Sequence, residues 1–165
     1  MNKFVNRSTK SQVAIFWDGQ NCRSTEEQVH CLGSFACSMG SIVFQKFYSD
    51  FQLETNRNFA DTLYLSGFEL INVPSFKNKP NRTDQKLIRD CKSQILNNPA
   101  ITTVILLSGD GGFTPSVRDL RAQGKKVVVI SGYPTHTSRK LMIAADEFYF
   151  MSQIEASFRR LPFAA

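Results

Sequence analysis

Apolar residues in this chain fall into short unbroken runs, separated by longer stretches in which they recur every three or four positions. Val13 to Trp17 (VAIFW), Ser41 to Tyr48, Phe68 to Val73, Thr103 to Leu107 and Lys126 to Ser131 are runs of the first kind, and Glu147 to Met151 is a shorter one. Unbroken apolar runs of this length predict strands buried on both faces. The stretches between them predict helices. Cys22 to Met39 carries Val29, Leu32, Phe35 and Ala36 on one stripe and stops at Gly40. Asn56 to Ser66 turns Phe59, Leu63 and Tyr64 inward, and Gly67 closes it. Thr83 is the expected N-cap of a helix from Asp84 to Leu96, whose apolar face is Leu87, Ile88, Cys91 and Ile95. Phe113 to Gln123 is helical with Pro115 in its first turn, and Ser138 to Ala145 forms a short helix.

Strands alternating with helices imply right-handed crossovers and a mostly parallel sheet covered on both faces. The expected fold class is α/β, a three-layer α/β/α sandwich with a mostly parallel central sheet. Residues 12–152 make the domain, residues 1–11 a polar lead-in and residues 153–165 a C-terminal tail. The third strand must connect back across the sheet to the fourth, which creates a switch point beside the first strand. In open parallel sheets ligands bind outside the carboxyl ends of the strands at such a point.

Acidic residues stand where that rule applies. The first strand stops at Asp18-Gly19-Gln20-Asn21, and the fourth at Ser108-Gly109-Asp110-Gly111-Gly112-Phe113. Gly19 allows a tight turn, and Asn21 can cap the next helix while presenting its amide to the site. Gly109, Gly111 and Gly112 let backbone approach a phosphate or metal, and the helix that follows offers free N–H groups to an anion. Ser108 and Thr114 are candidate hydrogen-bond donors there. Asp84 opens its helix, where the helix dipole favours a carboxylate in any case. Asp90 and Asp146 are the possible extra acids. Asp18 could equally serve as a plain helix cap, and the Asp110 segment as a plain glycine-rich turn. Carboxylates that converge from separate strands repel one another, and a divalent cation, Mg²⁺ or Mn²⁺, relieves that repulsion.

Composition adds a partner and a compartment. The formal charge is +6 and the sequence pI about 9.3, which favours an anionic partner, nucleic acid before membrane surface. Lys77, Lys79 and Arg82 lie in the basic loop PSFKNKPNR before Asp84. Arg139 and Lys140 follow the polar segment Thr135 to Ser138, so the two groups can hold a phosphate backbone near the acids. Phe76 and Tyr133 are candidates to stack on bases, or to anchor their loops. Cys22, Cys31, Cys37 and Cys91 form no CxxC pair, and His30 and His136 are the only histidines, so no structural zinc site is expected. Reduced cysteines, with no secretory signal and no spanning apolar run, point to the cytoplasm. Fourteen phenylalanines either fill the core or leave an exposed edge for a homodimer.

WDGQN, RTDQKLIRD, SGDGGFTPSVRDLRAQGKKVVVI and ADEFYFM together resemble the NYN domain, specifically its LabA-like (DUF88) branch, within the PIN-like nuclease superfold. The resemblance runs from about residue 12 to 152. It implies a Mg²⁺- or Mn²⁺-dependent ribonuclease whose acidic ligands correspond to Asp18, Asp84 and Asp110, with the amide of Asn21 beside them. One departure stands out. The family has a second aspartate two positions after the Asp110 equivalent, as SGDSDF, and here that position is Gly112.

The function expected from these residues is metal-assisted hydrolysis of RNA phosphodiester bonds, single-stranded RNA first. The alternative is a non-catalytic RNA-binding or regulatory module that keeps the fold and lacks turnover because of Gly112. A Rossmann-type nucleotide site is disfavoured, since no GxGxxG follows the first strand.

Overall fold

The computed structural model describes residues 10–79 and 81–159. Six strands form one sheet: β1 (Gln12–Asp18), β2 (Ser41–Ser49), β3 (Glu69–Asn72), β4 (Ile101–Leu107), β5 (Lys126–Ser131) and β6 (Glu147–Phe150). All pairs are parallel, in the order β3-β2-β1-β4-β5-β6. The fold is therefore the expected α/β sandwich, with every described strand parallel. Six helices connect and cover it: α1 (Glu26–Met39), α2 (Glu54–Leu65), α3 (Arg82–Ile95), α4 (Thr114–Ala122), α5 (Arg139–Ala144) and α6 (Met151–Phe158).

The alternation of side chains along β1 divides the core. Val13, Ile15 and Trp17 face one layer with Val29, Leu32 and Phe35 of α1, Leu63 of α2 and Ile154 of α6. Ala14 and Phe16 face the other with Leu87, Cys91 and Ile95 of α3, Val117 and Leu120 of α4, and Leu141 of α5. Period-two alternation thus serves two apolar layers, which is why the strands read as unbroken apolar runs. Trp17 sits at the centre of an aromatic group, edge-on to Phe47, Phe59 and Phe68 at 5.3–6.0 Å. Most described phenylalanines enter these cores. Phe76, in the basic loop, is the exposed one among the described residues.

The structure corrects several boundaries. The first helix starts at Glu26 rather than Cys22, because Thr25 and Gln28 form a capping box there. Thr83 is not a cap. It is buried in the first turn of α3, and Asn81, in a left-handed conformation (φ 64°), precedes that helix. Tyr64 points outward, 72% exposed, since the helical stripe of α2 passes through Leu63. Gly111 to Phe113 form a tighter 3₁₀ turn before α4. The expected tail 153–165 begins inside α6, a helix that the short apolar spacing of Met151 and Ile154 left unread; both side chains are buried against α1 and its neighbours. Residues 1–9 of the lead-in and 160–165 of the tail lie outside the described residues.

Gly19 shows how tightly the β1 end is packed. A Cβ added there would fall within the Phe47 ring, which is itself buried among Trp17, Phe51 and Phe59. Gly19→Ala is therefore expected to cost ~1–3 kcal/mol through overpacking. Urea denaturation checks this, and an unchanged midpoint would show that the Phe47 ring moves freely.

Candidate active site

The carboxyl end of β1 is locked by its own backbone before any side chain acts. Gly19 N donates to Tyr48 O of β2 at 2.9 Å, Cys22 N to Asp18 O at 3.0 Å, and Trp17 Nε1 to Cys22 O at 2.6 Å. This turn presents Asp18, which is fully buried. Its Oδ2 accepts from Asn21 Nδ2 at 2.6 Å and from Ser108 Oγ at 2.9 Å, and its Oδ1 from Gln20 N at 3.2 Å. Burial raises the Asp18 carboxyl above the usual aspartate range, and the Asn21 and Ser108 donors oppose that rise. Burial and the Asp18 charge push the neighbouring Cys22 thiol up to about 12, so it is no nucleophile. Neither Asp18 nor Asn21 caps α1, which begins beyond Thr25; the Asn21 amide is spent on Asp18.

Ser108 ties the first acid to the second. While its Oγ donates to Asp18, it accepts from Asp110 N at 3.1 Å. Asp110 Oδ1 accepts from Gly112 N at 2.8 Å, which caps the 3₁₀ turn. Two of the glycines beside it also serve packing. A Cβ at Gly109 would lie 2.5 Å from His136 O, and one at Gly111 2.7 Å from Ser138 Oγ. Ser138 N donates to Gly109 O at 2.9 Å. The glycines thus let the segment after β5 pack directly onto the Asp110 turn.

Asp84, from the first turn of α3, completes the group. Burial, then the charges of Asp18 and Asp110, raise its carboxyl to about 7. The Asp110 carboxyl is near enough to favour the protonated form of Asp84 as well. Among the described residues no salt bridge brings a cation to any of the three acids. The donor set consists of hard oxygen ligands with uncompensated charge, which suits Mg²⁺ or Mn²⁺. No three His, Cys, Asp or Glu side chains among the described residues are gathered at ligand spacing. Asp84 and Asp110 form the close pair, whereas both oxygens of Asp18 already accept hydrogen bonds. The set therefore fits an ion held by one or two carboxylates and otherwise by water, as is common for Mg²⁺.

The two extra acids are excluded from this group. Asp90 faces β2, where it accepts from Tyr48 Oη at 3.0 Å and Lys86 Nζ at 2.6 Å. Asp146 lies at the opposite edge of the sheet, accepting from Val127 N near the start of β5 and from Arg121 Nε, both at 2.8 Å. Thr114 is buried at the start of α4, its hydroxyl without a partner. Lys77 and Lys79 are exposed on the loop after β3, and Arg82 is anchored to Pro74 O at 2.8 Å. Arg139 and Lys140 are exposed at the start of α5, after β5. Sequence reading missed Asp50, directly after β2, although it obeys the same strand-end rule as Asp18. It is buried, which alone would raise its carboxyl, but N–H donors from Ser75 (2.8 Å) and Gln52 (2.9 Å) hold it low. Asp50 thereby anchors the start of the basic loop.

Comparison with known proteins bears on the family and the fold. The NYN domain profile matches residues 12–154. The crystal structure of a protein of unknown function from Vibrio parahaemolyticus is similar, with a TM-score of 0.70 and 27% identity over 87% of this chain and 94% of that one. Among curated proteins none matches in sequence.

The raised Asp84 carboxyl makes stability depend on pH in a defined direction. Unfolded, it loses its proton near pH ~4; folded, it holds the proton to about 7. The folded state binds more protons in that window, so its stability falls as pH rises from about 4 to about 7. In metal-free buffer Asp84→Asn should match the wild-type pH trend below the window and gain thermal stability relative to wild type above it. Thermal melts of the two proteins that run parallel from pH 4 to pH 8 would contradict the clustering of the three acids.

Proposed function

The chain belongs to the NYN domain family, and from that premise we propose that it is a divalent-metal-dependent ribonuclease that hydrolyses phosphodiester bonds of single-stranded RNA in the cytoplasm. NYN domains are RNA-binding domains of nuclease fold, and the LabA-like branch is the one whose motifs this chain shares. The observation that carries the reading is that Asp18, Asp84 and Asp110 come close enough at one sheet edge for the first and third to add to burial in raising Asp84, while no salt bridge among the described residues reaches them. A group of acids that repel at neutral pH is poor structural chemistry and good metal chemistry.

In this reading Asp84 and Asp110 would hold Mg²⁺ or Mn²⁺ directly, with Asp18 joining them or acting through water. When bound, the ion supplies a nucleophilic water at neutral pH and neutralises charge on the phosphate. Asn21 and Ser108 orient the Asp18 carboxylate by occupying one of its oxygens from two sides. The Thr114 hydroxyl is buried at the start of α4, so it would reach a phosphate oxygen only if that turn opened. Lys77, Lys79 and Arg82 on one side and Arg139 and Lys140 on the other position the strand through its phosphates, without reading sequence. All four described cysteine thiols are free, in keeping with a reducing compartment.

A second reading, an RNA-binding module without turnover, is favoured by one observation. Position 112 is an exposed glycine where the family carries an aspartate, so no fourth carboxylate stands beside Asp110. The space for one exists: a Cβ at Gly112 meets only the Asp110 carboxylate, at 3.3 Å.

Cleavage of labelled single-stranded RNA with Mg²⁺, Mn²⁺ or EDTA separates the two readings. The ribonuclease reading expects metal-dependent cleavage that falls by ~10²-fold or more in Asp18→Asn and Asp110→Asn, and rises in Gly112→Asp. Intact salt-sensitive RNA binding with no cleavage in any metal, gained only in Gly112→Asp, would establish the binding module instead.

A further inference from the structure

We infer that two exposed aromatic rings, Phe76 and Tyr133, clamp unpaired bases on either side of the acid group, so that the RNA strand crosses the sheet edge perpendicular to the strands. The inference rests on the ribonuclease reading for the nature of the ligand, and on the fold for its path.

Three large aromatic side chains are exposed among the described residues: Tyr64, Phe76 and Tyr133. Tyr64 lies near the end of α2, away from the acids. Phe76 (59% exposed) and Tyr133 (58%) both stand on loops at the carboxyl edge of the sheet, the first after β3 and the second after β5. The strand order is β3-β2-β1-β4-β5, and Asp18 and Asp110 come from β1 and β4. The two rings therefore bracket the acids. Four strand spacings separate their loops, ~19 Å at ~4.8 Å per spacing. A stretched strand covers that span with a few nucleotides.

Neither ring sits on a loose loop. Lys79 N donates to Phe76 O at 3.1 Å, closing a short turn. The Arg82 guanidinium lies 4.5 Å over the Phe76 ring and is itself anchored to Pro74 O at 2.8 Å. Phe76, Lys77, Asn78, Lys79 and Arg82 line a cavity of about 580 Å³, large enough for a nucleobase. On the other side, Tyr133 O accepts from Thr137 Oγ1 at 2.6 Å and from His136 N at 3.3 Å, and Ser131 Oγ meets Thr137 Oγ1 at 2.7 Å. Pro134 stiffens the same turn.

Arg82 packs against Phe76, yet more than half of each ring's surface stays in water on a rigid turn. Beside lysine and arginine such a ring matches a single-stranded ligand, whose bases offer π-faces between anionic phosphates. A duplex buries those faces in its own stack and is excluded from the clamp. Phosphate contacts from Lys77 and Lys79 at one end and Arg139 and Lys140 at the other would hold the strand taut across Asp18, Asp84 and Asp110.

The test is fluorescence anisotropy of the full chain in EDTA, with labelled RNA oligonucleotides of increasing length and a blunt RNA duplex. Phe76→Ala, Tyr133→Ala and Phe76→Trp are compared with wild type, each checked for folding by circular dichroism. We expect affinity to climb with length and level off near ~4 nucleotides. Each alanine variant should weaken single-strand binding by ~10- to 100-fold, Phe76→Trp should restore it, and the duplex should bind weakly and indifferently to the rings. Folded alanine variants that bind single strands like wild type, indifference to either ring, or a duplex bound as tightly as a single strand would overturn the clamp. Metal-dependent cleavage measured in parallel keeps the two readings apart. Ring-dependent binding without cleavage removes only the ribonuclease reading, and cleavage with ring-independent binding removes only the clamp.

Discussion

Three carboxyl groups share one edge of the sheet, and the chain holds them there against their own repulsion. Burial raises the Asp84 carboxyl, and repulsion from Asp18 and Asp110 raises it further. What resists it is a single hydroxyl and the backbone around it. Ser108 donates to Asp18 and accepts from the Asp110 N–H, so one side chain spans the two central strands at their ends. The Asp18 turn is fastened to β2 through Gly19 and to its own far side through Trp17. These bonds form in a fully buried setting, where an unmet donor is costly and a met one is rigid.

The third acid is positioned differently. Asp84 belongs to a helix whose preceding residue, Asn81, makes no side-chain cap. The helix is located instead by Leu87, Cys91 and Ile95 in the core, and by Asp90, which binds Tyr48 of β2. Burial and the Asp90 charge keep the Tyr48 hydroxyl protonated, so it remains a donor to that acid. Asp90 resembles a site acid in sequence, but it sets the seat of α3 from within, and the loop that leads to Asp84 is seated by Asp50 and Arg82.

Around this rigid centre the charge distribution changes sign. The chain is basic overall, yet its buried edge is acidic, with lysine and arginine on the two flanking loops. A polyanion is drawn in by the flanks and meets like charge only at the centre, where an added cation makes the approach favourable.

Strands, their buried character, the switch point and the positions of the three acids, two after strand ends and one at a helix start, were all legible in the sequence, because each depends on local pattern. An unbroken apolar run needs two covered faces wherever it lies, and an acid after such a run reaches the carboxyl edge by connectivity alone. The roles of neighbouring residues were not legible. Asp90 and Asp146 carry the same charge as Asp84, but side-chain direction sent one to Tyr48 and strand direction sent the other to the far edge. Gly109 and Gly111 read as an opening for phosphate, and they also admit the His136–Ser138 segment, a partner that only chain folding brings near. Helix α6 went unread because a short helix carries few apolar repeats and gains its stability from packing on α1. The sequence by itself determined the alternating α/β order and which acids arrive at one edge, since both follow from periodicity and strand direction. Which of those acids face one another, and which hydroxyl binds them together, was decided only by tertiary structure, because hydrogen bonds and charge coupling depend on distances that no local pattern contains.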